Sequence, residues 1–149
     1  MRIEGSTALV TGANRGLGRH FAEALLARGA TVYAGARNPD AVDLPGAIPI
    51  AIDVTDEASV AAAAQVASGV SLLINNAGSS TGAALLDGPL ADIRLEMETH
   101  YFGTLAVTRA FAPQLADQFA VIFEFRARRF LRDRFQQGKK GRVHDFQAP

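Results

Sequence analysis

The stretch from Ser6 to Gly18 constrains this chain more than any other. Ser6-Thr7-Ala8-Leu9-Val10 is a short apolar run that stops at Gly12 and reads as a buried strand. From Gly16 to Arg28 apolar residues recur at helical spacing, at Leu17, Phe21, Ala24, Leu25 and Ala27, and Gly29 supplies the stop. Between strand and helix lies Thr11-Gly12-Ala13-Asn14-Arg15-Gly16-Leu17-Gly18. Glycines let the backbone turn tightly and approach a phosphate. The helix N-terminus then offers free N–H groups and a partial positive charge. A glycine turn alone can be an ordinary turn; the strand before it and the helix after it make it informative.

The rest of the chain repeats the alternation. Thr31–Gly35 and Ile48–Ile52 read as strands, the latter weakened at its start by Pro49. Asp56 can cap a helix over Glu57–Ala67, and Ser71–Asn75 is a fourth strand. Leu90 to about Leu115 reads as one long helix, bent or ended near Pro113. Short, near-continuous apolar strands alternating with helices predict an α/β fold, a doubly wound parallel sheet of Rossmann type. Ligands of such sheets bind beyond the carboxyl ends of the strands.

Composition narrows the function. The chain has 149 residues, with fifteen Lys+Arg against fifteen Asp+Glu. That suits one domain and argues against nucleic-acid or membrane binding by net charge. The absence of cysteine excludes a disulfide framework, a zinc–cysteine site and a thiol nucleophile. His20, His100 and His144 have no metal-ligand spacing, so no metal site is expected. The start lacks the apolar run of a secretory signal, and no apolar stretch nears the ~18 residues of a membrane span, so the expectation is a cytoplasmic protein.

The average hides a seam. Residues 1–116 hold seven basic and eleven acidic residues, whereas 117–149 hold eight and four, with six of the nine Phe. The predicted division is 1–116 as the Rossmann-type domain and 117–149 as an atypical Arg/Phe-rich tail. Phe119–Phe123 can supply a fifth strand, and Arg126–Phe135 is basic and helix-permissive. Three readings of the tail stay open: a plain surface helix, a basic amphipathic helix for an acidic partner, or sequence read out of frame.

The glycine turn spells Gly-x-x-x-Gly-x-Gly with Thr before the first Gly, and it resembles the cofactor turn of the short-chain dehydrogenase/reductase family. Asp53-Val54, Asn75-Asn76-Ala77-Gly78 and Tyr101-Phe102-Gly103-Thr104 also match the family in order, across about residues 6–116. The resemblance implies an NADP-dependent oxidoreductase moving a hydride between nicotinamide and a carbonyl/alcohol substrate. It implies cofactor contacts from Thr11, Gly12, Asn14, Arg15, Gly16, Leu17 and Gly18. Further contacts would come from Arg37, Asp53, Val54, Asn75, Ala77 and Gly78, with Asp53 at the adenine ring. NADP rather than NAD follows from Arg37, a permanent planar cation where NAD forms carry an acid; none appears until Asp40. Arg15 adds a second charge.

The family's proton relay uses Ser, a Tyr with Lys four residues later, and an Asn in the long helix. His100 stands where the Asn is expected, and it lacks the amide's paired donor and acceptor. No Ser follows Ser80, no Tyr follows Tyr101, and the chain holds no Tyr-x-x-x-Lys. The expectation is therefore a fold truncated after the fourth or fifth strand and inactive alone. The alternative is a non-catalytic dinucleotide-binding or interaction protein. The resemblance also implies self-association through the long helix.

Overall fold

Successive residues of a strand face opposite sides of a sheet, and Ala8, Leu9 and Val10 are all fully buried. The first strand must therefore be covered on both faces, which places it mid-sheet. The computed structural model describes residues 2–116 and the backbone of 121–124. In it, strands β1 (Thr7–Thr11), β2 (Thr31–Ala36), β3 (Ile48–Ala51), β4 (Leu72–Asn75) and β5 (Val121–Glu124) form one sheet in the order β3-β2-β1-β4-β5. Every pairing is parallel. The fifth strand overlaps the predicted one. The predicted basic helix and the rest of the tail lie outside the described residues.

The two faces have separate cores. Ala8, Val10, Val32, Ala34, Leu72 and Ile74 pack with Ala22 and Leu25 of helix α1 (Gly16–Leu26). Leu9 and Leu73 pack on the other side, with Val60 and Ala63 of α2 (Glu57–Val66) and with Val107, Phe111 and Leu115. Helices on both faces make the sheet doubly wound, as predicted. Gly29, at φ +80°, ends the first helix: Ala30 N–H donates to Leu25 O and Gly29 N–H to Leu26 O. Asp56 caps the second by accepting from Ala58 N–H at 3.0 Å.

The long helix differs from its expectation. It comprises α3 (Leu90–Met97), a π-helical turn over Glu98–Gly103, and α4 (Thr104–Ala116). The irregularity sits in the π-turn, and the helix runs on through Pro113. The reason lies in its inward residues. Thr99, Gly103, Val107, Phe111 and Leu115 are all buried at four-residue steps. Steps of four drift about 40° each around an α-helix with 3.6 residues per turn. One wider turn reverses that drift and keeps the stripe on the sheet.

Candidate functional site

Strand order reverses between β1 and β4, and that is where the crevice of a doubly wound sheet opens. A cleft of about 600 Å³ lies there, walled by the residues that follow β1, β2, β3 and β4.

The glycine turn forms one wall. Gly12 and Gly16 have φ of +67° and +57°, a region that disfavours any side chain. A Cβ on Gly12 would sit 3.0 Å from the Ala77 Cα, so only glycine lets the two turns approach this closely. Around Gly16 nothing lies within 4 Å of such a Cβ, which leaves the backbone open. The first turn of α1 has neither a side-chain cap nor an acidic residue. Its free N–H groups therefore have no side-chain acceptor, a fit for an anionic ligand.

Thr11 joins this wall to the next. Its hydroxyl accepts from the N–H groups of Asn76 and Ala77, both at 3.0 Å, and donates to Ile74 O at 3.4 Å. The Asn76 amide donates back to Thr11 O at 2.9 Å and Gly12 O at 3.2 Å. Asn75 turns away, donating to Thr108 Oγ1 on α4 at 3.1 Å.

The opposite wall carries the charge. Asp53 Oδ1 accepts from the Thr55 N–H at 3.0 Å and the Thr55 hydroxyl at 2.7 Å. These bonds hold the Asp53 carboxyl below its usual range, and the nearby Arg37 guanidinium adds to the effect. Arg15 and Arg37 both line the cleft, and neither makes an ion pair within 4.0 Å among the described residues. Asn38 accepts from Asp40 N–H at 3.1 Å and starts a short turn over Pro39–Ala41, so Asp40, the nearest following acid, is not in the cleft wall.

Nine of the thirteen residues expected at a cofactor line this cleft: Gly12, Asn14, Arg15, Gly16, Arg37, Asp53, Val54, Ala77 and Gly78. The other four do not. Thr11 and Asn75 are buried and shape the turns through the bonds above. Gly18 packs directly on the Gly12 carbonyl, and Leu17 is 41% exposed outside the lining. Sequence reasoning missed Thr55, Asn76, Ser79, Leu95 and Thr99, which also line the cleft. Asn76 lies inside a quoted motif, and Asp53-x-Thr55 has the spacing of a side-chain turn. Leu95 and Thr99 carried no signal, because the long helix read as scaffold.

His100 lies beside the site. Its Nε2 is 2.6 Å from Ser79 O, and its ring packs over Gly78. Among the described residues there is no group of three or more His, Asp or Glu able to hold a metal ion, and no helix long and apolar enough to cross a membrane.

Fold and cleft together define a Rossmann-type α/β protein with a crevice at its switch point, lined by a glycine turn and two arginines. The description "short chain dehydrogenase" matches residues 6–122, and the chain belongs to that family. Among solved structures, it is similar to a short-chain dehydrogenase from Burkholderia cenocepacia J2315 in complex with NADP. That match has 46% identity and a TM-score of 0.78, covering 82% of this chain and 53% of that one. A 7α-hydroxysteroid dehydrogenase solved with NADH has 31% identity and a TM-score of 0.70, covering 78% of this chain and 50% of that one. The sorbitol dehydrogenase of Cereibacter sphaeroides is 38% identical over 128 residues, 75% of this chain and 48% of its own length. The chain thus spans about half the length of these relatives.

Proposed function

We propose that this chain binds NADP(H) in the cleft, as the cofactor-binding part of an oxidoreductase acting on a carbonyl/alcohol pair. One observation carries the reading: an uncapped glycine turn at the start of α1 shares its cleft with Arg15, Arg37 and an ionised Asp53. Gly12, Asn14 and Gly16 would hold the pyrophosphate on backbone N–H groups, with Leu17 and Gly18 completing that turn. Arg15 and Arg37 would neutralise a 2′-phosphate. Asp53 and Val54 would meet the adenine, and Ala77 and Gly78 would form the wall that Thr11 and Asn75 fix from behind. The bound nicotinamide supplies the hydride chemistry of the class.

NADPH fluorescence titration tests the reading. Binding stronger for NADPH than for NADH is expected, and Arg37→Asp should weaken NADPH roughly 10- to 100-fold, as loss of a charge-assisted contact and gain of repulsion require. Unchanged NADPH affinity in that variant would sink the assignment.

The second reading is a non-catalytic dinucleotide-binding or interaction role, favoured by His100 in the place where the family's relay Asn is expected. NADPH turnover with a panel of aldehydes and ketones favours the enzyme; tight binding without turnover favours the second reading.

A further inference from the structure

The hydrogen-bond ladder of β3 on β2 ends with Ile52, whose N–H donates to Ala36 O at 2.9 Å. Asp53 is the next residue, and its N–H has no strand partner. Ser59, in the first turn of α2, supplies the acceptor: the Asp53 N–H donates to Ser59 Oγ at 2.9 Å. The Asp53 carbonyl accepts from Asp56 N–H at 3.1 Å. Both backbone polar groups of Asp53 are therefore tied to the segment that opens α2. Its side chain is held as well. Thr55 gives two hydrogen bonds to Oδ1, which fill both lone pairs of that oxygen. Oδ2 has neither a hydrogen bond nor an ion pair among the described residues. Asp53 lines the cleft, whereas Ser59 is half-buried outside that lining.

We propose that Ser59 is a positioning residue for base selectivity: by accepting the Asp53 N–H it fixes the carboxylate so that one oxygen is engaged by Thr55 and the other stays open to a ligand N–H, the 6-amino group of an aminopurine. The proposal rests on the dinucleotide reading above. A carboxylate oxygen can only accept, so it favours a ring position that donates and disfavours one that bears a carbonyl oxygen. Such discrimination needs a carboxylate that cannot turn or withdraw, because a mobile one relaxes away from a poor match. Thr55 fixes the rotation of the carboxyl group, and Ser59 fixes the backbone that carries it.

The test uses the full chain and two fluorescent probes, NADPH and its hypoxanthine analogue, in which a carbonyl oxygen replaces the 6-amino group. The wild type should bind NADPH roughly tenfold or more tighter than the analogue, the scale of one hydrogen bond to a charged group. Equal binding of the two overturns the proposal. Ser59→Ala should cut that preference roughly three- to tenfold by weakening NADPH alone, and Ser59→Thr, which keeps the acceptor, should restore it. Alanine that weakens both probes equally marks a merely structural residue and overturns the proposal. An unchanged preference, or a threonine variant no better than alanine, does the same. If the wild type binds neither probe, the dinucleotide reading fails instead, and a carbon-13 titration of the Asp53 carboxyl decides the positioning role. A carboxyl that rises toward its ordinary value in alanine and returns in threonine upholds it; an unmoved one overturns it. If the alanine variant does not fold, Ser59→Cys, whose sulfur is a weak acceptor, takes its place with the same outcomes.

Discussion

The Asp53 carboxyl is held below its ordinary value chiefly by Thr55, first through the backbone N–H and then through the hydroxyl. Thr55→Val removes the hydroxyl bond and leaves the backbone one, so the carboxyl should rise part of the way to its ordinary value, as a carbon-13 titration would read. The folded-state value is depressed, so the linked stability is fully present above the unfolded value and is lost as pH falls through the folded one. The difference between wild type and variant should close as pH drops below about 4. Gly18 makes a second prediction at this scale. A Cβ there would press into the Gly12 carbonyl and the Asn76 amide. Gly18→Ala should cost about 1–3 kcal/mol in urea unfolding, as overpacking does, and should disturb the turn lining the cleft.

The elements were legible in proportion to how apolar their buried faces are. Strands β1, β2 and β4 sit close to their predicted spans because both faces are buried, giving unbroken apolar runs. Predicted ends differ by a residue where pairing outlasts the strand: Ile52 N–H still donates to Ala36 O past β3. The π-turn was illegible because its inward residues are Thr99 and Gly103, which carry no hydrophobic signal. Gln114 was silent for the opposite reason, as a polar residue doing an inward task. Its Nε2 donates to Ala64 O and Ala67 O, both at 3.0 Å, and its Oε1 accepts from Val70 N–H at 3.0 Å. It thereby ties α4 to the end of α2 and the approach to β4. Gln114→Ala leaves part-buried backbone groups without that partner, and should cost about 1–3 kcal/mol in denaturant melts.

At the scale of the whole molecule, the described surface is uneven. Leu86 is 98% exposed and Leu90 64%, while Met97, Tyr101 and Phe102 are about half exposed along the long helix. Such a run of apolar groups favours contact with another surface. Sedimentation should show mass rising with concentration, and Tyr101→Glu with Met97→Glu should lower it. A mass constant across concentrations would count against self-association through this helix. The candidate site followed the same logic of legibility. Its turns were readable because glycines and arginines stand out at strand ends. The wall contributed by Leu95 and Thr99 appeared only once the helix was laid across those ends.

The Thr11 hydroxyl has one proton to give and two lone pairs to offer, and all three are engaged between β1 and the turn after β4. Neither turn can shift alone without breaking that junction in the middle of the sheet. The cleft floor is accordingly one braced unit, in which a displacement of the glycine turn is passed directly to the turn after β4.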